Sequence, residues 1–138
     1  MITYFDASVI LRRALRQPNQ IALTDIDRTA SSSLTRVECL RTADRLRVLG
    51  ALDEPSQLRM REVVFEVFET CSVIEVGPLV LQRASMPFPV PIKTLDALHL
   101  ASALILQESR GEPVRLATHD RALARASRAM GFEVIGVA

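Results

Sequence analysis

Four acidic residues lie where short strands are predicted to end or helices to begin. Asp6 and Asp120 each follow a short apolar run typical of a strand, and Glu38 and Asp96 lie in the first turn of a predicted helix. Ligands of open parallel sheets bind beyond the carboxyl ends of the strands. If the strands before Asp6 and Asp120 are neighbours, we expect all four carboxylates to converge at one edge of the sheet and to form a catalytic set.

Crowded carboxylates need either a cation or bound protons. Two like charges about 4 Å apart repel by ~4 kcal/mol at an effective dielectric constant near 20. An all-oxygen ligand set suits Mg²⁺ or Mn²⁺ and does not suit Zn²⁺. Such ions orient a water, lower its pKa and offset charge on a phosphate. The acids therefore predict metal-dependent hydrolysis of a phosphodiester bond.

Structural explanations compete with this hypothesis for single residues. An acid in the first turn of a helix complements the helix dipole, which accounts for Asp96 or Asp120 alone but is harder to extend to all four acids. His99 lies on a strongly apolar segment and is predicted to be a hydrogen-bonded core histidine. His119 is predicted to be an exposed turn residue. We therefore leave both histidines out of the catalytic set.

Composition indicates a globular chain. The 138 residues are 49% hydrophobic and 24% charged, which predicts one domain covering residues 1–138. The longest apolar stretch, residues 97–106, falls short of the roughly 20 residues that cross a bilayer. The start MITYFDAS has no basic region before Asp6, so no signal peptide is predicted and we expect a cytoplasmic location.

The cysteines and the arginines further restrict the candidate functions of the chain. Cys39 and Cys71 lie in apolar surroundings and are predicted to be buried thiols, with no disulfide. Lys93 is the only lysine among 17 basic residues, and arginine is the better bidentate partner of phosphate. Candidates for phosphate contacts near the acids are Arg13, Arg36 and Arg121, although a solvated helix surface explains them equally well.

Hydrophobic periodicity predicts alternating strands and helices. Strands are expected at residues 2–5, 30–33, 72–76, 114–118 and 132–137, and helices at 8–15, 35–49, 55–69, 78–84, 95–109 and 120–130. This alternation indicates an α/β sandwich whose parallel strands are covered on both faces.

Several details of this pattern can be checked. The second helix is expected to direct Val37, Leu40 and Leu46 inward, and Thr94 is expected to cap the helix that contains Asp96. The third helix is expected to expose an acidic stripe of Glu62, Glu66 and Glu69. Three alternating prolines in residues 87–91 exclude a helix there.

Four segments that carry the acids resemble a known family. In chain order they are YFDAS, LTRVECLR, TLDALHLASAL and LATHDRALARA, and together they resemble PIN-domain ribonucleases, most closely the VapC-type toxins of bacterial toxin–antitoxin pairs, across residues 2–137. The resemblance implies a three-layer sandwich with a five-stranded parallel sheet of order 3-2-1-4-5. It also implies an endoribonuclease that uses Mg²⁺, with Mn²⁺ as a substitute.

The resemblance also implies roles for particular residues and partners. Asp6, Glu38, Asp96 and Asp120 correspond to the metal-binding set, and Ser8 and Thr118 to hydroxyl residues that stand beside the acids. The expected partners are RNA, a cognate antitoxin and a second copy of the chain.

The third predicted helix is a candidate site for the antitoxin. It has more apolar positions than a one-sided helix requires, and some of them are expected to form a groove that faces Arg41 and Arg45. The alternative is that all of them are core. The six positions are Met60, Val63, Val64, Phe65, Val67 and Phe68.

Two other function classes remain open at this point. A PIN-like domain without activity can serve as a binding module, although the four acids argue against it. A phospho-accepting receiver domain has a similar size and sheet, but it needs an aspartate after strand three and a lysine after strand five. Here Glu75, Val76 and Gly77 end strand three, and no lysine follows Gly131. A phosphatase with an aspartate nucleophile would need an acid at the position of Ser8.

Overall fold

Five short strands form one parallel sheet in the computed structural model, which describes residues 1–22, 26 and 28–137. They are β1 (Ile2–Phe5), β2 (Thr29–Ser32), β3 (Ser72–Ile74), β4 (Val114–Ala117) and β5 (Glu133–Ile135). Their order is β3-β2-β1-β4-β5, as expected. Receiver domains have the order 2-1-3-4-5 instead, so the sheet argues against that alternative.

Six helices connect the strands at positions close to those predicted. They are α1 (Ala7–Ala14), α2 (Ser33–Val48), α3 (Glu54–Thr70), α4 (Pro78–Ala84), α5 (Thr94–Arg110) and α6 (Arg121–Ala129). The predicted cap of α5 was wrong by one residue, because Lys93 is the N-cap and Thr94 already belongs to the helix. Residues 87–91 form neither helix nor strand, as the prolines require.

Helices cover both faces of the sheet, so the three-layer sandwich is confirmed. Alternate residues of β1 point to opposite faces, which explains why Tyr4 and Phe5 belong to different cores. On one face, Tyr4 packs with α5 and α6 through residues such as Leu100 and Leu123. On the other face, Phe5 packs with α1, α2 and α3.

Helix α2 buries a different side from the one predicted. Its buried residues are Thr35, Cys39 and Ala43, while Val37 is 55% exposed. The prediction for Val37 was therefore wrong, although Leu40 and Leu46 are partly buried. Residues four apart share one side of a helix, and small side chains on that side allow close packing. The residues that helix α2 buries most completely are thus small, while Leu40 packs against the core only in part.

The most apolar helix, α5, is central as expected. Its buried side chains surround it on more than one side and include His99, Leu100 and Leu106. The acidic stripe of α3, formed by Glu62, Glu66 and Glu69, is exposed as predicted. None of the described helices is both long and apolar enough to span a membrane.

The two cysteines are both free thiols, as predicted. Cys39 is fully buried, whereas Cys71 is only partly buried, so the expectation of burial holds fully for the first alone. Burial, aided by the charges of Glu38 and Asp6, raises the pKa of Cys39 to about 12. Cys39 is therefore an unreactive thiol that fills the core under the acids.

Gly136, which follows β5, allows the chain to approach β4 closely. Its φ angle is +102°, and a Cβ atom there would lie 2.3 Å from the backbone oxygen of Thr118 and 2.8 Å from Ile21 Cδ1. Gly50 has φ +70°, but nothing lies within 4 Å of its position for a Cβ. Both glycines have a conformation that other residues rarely adopt, and only Gly136 adds a steric barrier.

We expect Gly136→Ala to destabilise the protein by more than the roughly 1–3 kcal/mol that such a backbone conformation alone costs a non-glycine residue. Urea unfolding measures the difference, with Gly50→Ala as the matched control for the conformation without the clash. Equal losses in the two variants would contradict a steric role for Gly136.

Candidate active site

Two of the four acids leave the sheet at the same edge. Strands β1 and β4 are parallel neighbours in which Phe5 lies opposite Ala117. Asp6 follows β1 directly as the N-cap of α1, and Asp120 is the N-cap of α6 after β4. Strands β1 and β4 are therefore neighbours, which is the condition under which we expected the four acids to converge.

The other two acids reach this edge from helices. Asp96 lies in the first turn of α5, as expected. Glu38 lies in the second turn of α2 and not in the first, because α2 begins two residues earlier than predicted, at Ser33. The charges of Asp120, Asp6 and Glu38 all act on the Asp96 carboxyl. The structure thus brings the four acids within electrostatic range of one another.

A pair of hydroxyl groups holds the Asp6 carboxylate. Ser8 Oγ donates to Oδ1 at 2.5 Å, and Thr118 Oγ1 donates to Oδ2 at 2.9 Å. Each hydroxyl also accepts a backbone N–H, Ser8 from His119 at 2.8 Å and Thr118 from Asp120 at 3.0 Å. Ser8 and Thr118 therefore fix Asp6, which is only 6% exposed, between the ends of β1 and β4.

Burial and crowding make two acids of this edge, Asp6 and Asp96, hard to ionise. Burial raises the pKa of Asp6 and Glu38 raises it further, while His99 and the two hydroxyl groups only partly oppose this. Burial and then the charge of Asp120 raise the pKa of Asp96. Raised pKa values at two carboxyls of one cluster mean that its full negative charge is unfavourable without a cation.

Glu38 is held by a buried histidine on α5. The Nε2 atom of His99 lies 2.6 Å from Glu38 Oε1, and its Nδ1 atom lies 2.8 Å from the Tyr4 hydroxyl. Burial lowers the pKa of His99, but Tyr4, the hydrogen bond to Glu38 and its charge raise it overall. The two ring nitrogens of His99 therefore join an acid of the cluster to the Tyr4 hydroxyl.

The alternative explanation for Asp120, that its carboxylate stabilises the first turn of helix α6, holds in part. Its Oδ1 atom accepts the backbone N–H of Leu123 at 3.0 Å, and the residue is exposed. Asp6 makes no such capping bond, although it is also an N-cap. Local helix chemistry therefore accounts for Asp120 better than for Asp6.

The three arginines suggested for phosphate contacts lie in different places. Arg121 is exposed and directly follows Asp120. Arg13 is in the last turn of α1, about 10 Å along the helix from Asp6. The Arg36 guanidinium lies 4.9 Å from the centre of the Phe68 ring on α3. Of the three, Arg121 is the one beside an acid of the cluster.

The donor atoms at this edge suit a hard cation. All four acids offer carboxylate oxygens, the ligands that Mg²⁺ and Mn²⁺ prefer. In the part of the chain that the structure describes, no three His, Cys, Asp or Glu side chains stand close enough to enclose an ion as they lie. Mg²⁺ commonly takes one or two carboxylates and keeps several waters, so the chemistry of the set fits without such an enclosure.

Sequence reasoning missed the contact between His99 and the acids. It predicted His99 correctly as a buried, hydrogen-bonded residue, but one of its partners is a member of the acid set. A weak signal exists, because His99 follows Asp96 by three residues and so shares its helix side. His119 was predicted to be exposed, whereas it is partly buried and its Nδ1 atom lies 3.1 Å from the backbone oxygen of Gly136.

Comparison with known proteins identifies the family. The sequence profile of the PIN domain matches residues 3–129. The chain belongs to the PIN domain family. Ribonuclease VapC46 of Mycobacterium tuberculosis is 32% identical in an alignment 136 positions long that covers 96% of this chain and 95% of that protein. The resemblance drawn from the acidic segments is therefore confirmed.

Solved structures agree with this PIN fold. A structure of VapBC2 from Rickettsia felis, bound to a DNA fragment from their promoter, has a TM-score of 0.66 at 12% identity and covers 97% of both chains. A toxin–antitoxin complex from Klebsiella pneumoniae has a TM-score of 0.58 at 19% identity, covering 88% of this PIN domain and 90% of that chain. At such identities these similarities support the fold.

We expect Asp6→Asn to keep or raise the melting temperature of the metal-free PIN domain at pH 7. Folding raises the pKa of Asp6. The contribution of the Asp6 carboxyl to folding stability is therefore fully present below its pKa in the unfolded chain, and it is lost as the pH rises through its pKa in the folded chain. Removing the Asp6 charge should therefore raise the melting temperature most at neutral pH, by about 4 °C for each kcal/mol of electrostatic cost removed. At acidic pH the melting temperature should not rise.

Thermal melts of both proteins from pH 3 to pH 7 check this expectation. Asp44→Asn is the control of opposite sign, because Arg47 and Arg41 lower the pKa of Asp44 and its contribution is lost as the pH falls. A marked loss of stability in Asp6→Asn at pH 7 would show that Asp6 acts mainly as a structural hydrogen-bond acceptor.

Proposed function

We propose that this PIN domain is a metal-dependent endoribonuclease that hydrolyses RNA phosphodiester bonds. The observation that carries the proposal is the cluster of four carboxylates at the β1–β4 edge, in which burial and neighbouring charge raise the pKa values of Asp6 and Asp96. The relative named ribonuclease VapC46 supports the same activity. A silent binding module would not need buried carboxylates that carry this electrostatic cost.

The acids and the hydroxyl groups have distinct roles in this proposal. Asp6, Glu38, Asp96 and Asp120 would together hold Mg²⁺, with Mn²⁺ as a substitute. A bound ion of this kind activates water and offsets the charge that develops on the phosphate. Ser8 and Thr118 keep the Asp6 carboxylate in place through their hydroxyl groups.

Substrate contacts are assigned by position relative to the acids. Arg121 begins α6 beside Asp120 and is the best placed of the three arginines to bind an RNA phosphate. Arg36 stacks on Phe68, and Arg13 is two helical turns from Asp6, so they would act on more distant phosphates. Contacts of this type strengthen binding without selecting a sequence.

We expect cleavage of RNA to require Mg²⁺ or Mn²⁺ and to stop in excess EDTA. Asp96→Asn, which removes one ligand charge and keeps the side-chain volume, should lower the rate by about 100-fold or more. A gel assay with fluorescently labelled RNA measures both effects. The matched control is Glu62→Gln on the exposed side of α3, which should cleave at the wild-type rate.

Two results would count against the proposed activity. Undiminished cleavage in EDTA would exclude a metal mechanism. Failure to cleave any cellular RNA with Mn²⁺ supplied would favour the silent binding module, and the four acids would then be remnants of a lost activity.

The similarity to solved structures of toxin–antitoxin complexes supports a partner protein as well. We infer that a cognate antitoxin binds a groove between α2 and α3, of about 230 Å³, lined by Arg36, Leu40, Val64, Phe65, Phe68 and Glu69. Met60 and Val64 are buried, but Phe65 is 68% exposed, so the alternative that all six positions are core was wrong. Arg41 and Arg45 border a separate depression with Val48, so the predicted opposite wall was wrong.

A second copy of the chain is the remaining expected partner. Exposed apolar side chains on and near α4 are available for such a dimer, with Leu79 70% and Met86 52% exposed. These residues are not among those that line the α2–α3 groove.

We expect Phe65→Glu to abolish co-purification with a small antitoxin encoded beside this chain while leaving folding and RNA cleavage intact. A charged side chain at this position should weaken binding of the antitoxin and leave the acid cluster unchanged. Val48→Glu, at a residue 68% exposed beside Arg41 and Arg45, is the matched control and should retain the partner.

The reverse result, loss of the partner only in Val48→Glu, would move the antitoxin to the Arg41 and Arg45 surface. Unfolding of Phe65→Glu would show that this position belongs to the core. Normal growth of cells that express the wild-type chain alone would argue against a toxin.

A further inference from the structure

A three-residue chain of hydrogen bonds runs from the sheet to the acid cluster. Tyr4 on β1 contacts the Nδ1 atom of His99 at 2.8 Å, and His99 Nε2 contacts Glu38 Oε1 at 2.6 Å. The Tyr4 and His99 rings also meet edge to face, with centroids 5.9 Å apart. The three side chains come from β1, α5 and α2, so the chain ties three elements together at one point.

The burial of these groups makes their geometry rigid. Tyr4 is fully buried and His99 is 2% exposed, whereas the Glu38 side chain is 25% exposed. The fixed end of the chain is therefore inside the core and the free end is at the acid cluster. A side chain packed on all sides has no other rotamer available, so His99 can hold its partner in one place.

Glu38 differs from the other acids in needing such support. Asp6 and Asp120 are N-caps, and Asp96 is in the first turn of its helix, so the backbone places all three directly. Glu38 lies one turn further along α2 and has a longer side chain with one more rotatable bond. His99 engages only Oε1, and the second carboxylate oxygen of Glu38 has no hydrogen-bond partner among the described residues.

We propose that His99, fixed by Tyr4, is a positioning residue that orients the Glu38 carboxylate toward the metal. This inference rests on the proposed function, because it assumes that Glu38 is a ligand. It differs from a structural role for His99, which would require only that the buried ring has hydrogen-bond partners. Outer residues that orient metal ligands typically change metal affinity by about 10–100-fold when they are replaced.

The test is Mn²⁺ binding to the full chain, measured by the electron paramagnetic resonance signal of free Mn²⁺, with melting temperatures recorded in parallel. We expect His99→Leu, which keeps an apolar side chain of similar size, to weaken Mn²⁺ binding by about 10–100-fold. His99→Gln keeps an N–H donor and should recover most of the affinity. Ser102→Ala, which removes a buried hydroxyl one turn further along α5, is the control and should bind Mn²⁺ as the wild type does.

A double variant separates positioning from general damage. In a Glu38→Gln background the ligand charge is already lost, so His99→Leu should weaken Mn²⁺ binding little further. Additive losses, or equal affinity of His99→Leu and wild type, would overturn the proposal. If His99→Leu does not fold, Tyr4→Phe, which deletes one oxygen atom, replaces it in the same cycle and the same outcomes decide.

These results also distinguish the inference from the proposed function. A wild-type chain that binds no Mn²⁺ and cleaves no RNA overturns both. A wild-type chain that binds Mn²⁺ and cleaves RNA, with His99→Leu unchanged in both respects, overturns the positioning role and leaves the nuclease intact.

Discussion

The geometry of the acid cluster depends on one buried carboxylate at the junction of two neighbouring strands. Taking the Asp6 charge out of water is costly, and Ser8 and Thr118 offset part of that cost with two O–H donors. The same hydroxyls accept backbone N–H groups from the segment after β4. The hydroxyl groups that stabilise the Asp6 charge thus also join the β1–α1 turn to the β4–α6 turn. The position of Asp6 and the conformation of this edge of the sheet therefore depend on each other.

The fold supplies each other acid with its own favourable environment. Asp6, Asp96 and Asp120 lie at the amino ends of helices, where the helix dipole favours negative charge. Glu38 lies beyond the first turn of α2 and has His99 as its partner instead. These interactions lower the cost of the cluster without removing it, since the pKa values of Asp6 and Asp96 remain raised. A site that stays short of positive charge is what a cation-binding edge requires.

Most of the fold could be predicted from the sequence because its signals are local. Strand and helix patterns alternate, and the acids mark the ends of the strands. The errors concern interactions between distant parts of the chain. Ser31 Oγ donates to the backbone oxygen of Phe5, and such contacts place the end of β2 and hence the start of α2. Val37 was assigned inward by its apolar character, but packing selected the side with Thr35 and Cys39. The partnership of His99 with Glu38 spans 61 residues, and the spacing of His99 from Asp96 is only a weak signal for it.

The hydrophobic clusters of the interior and the acid cluster are built from different side chains. The core of α1, α2 and α3 and the core of α5 and α6 consist of apolar side chains, and neither includes a carboxylate. A PIN fold can therefore lose acids and keep its stability, which is why the sheet alone does not distinguish a nuclease from a binding module. Tyr4 and His99 are the exception, because Tyr4 belongs to the core and His99 contacts an acid. There the packing of the interior determines the position of the Glu38 carboxylate. A substitution in the core can therefore alter the acid cluster through the His99 ring and its hydrogen bonds.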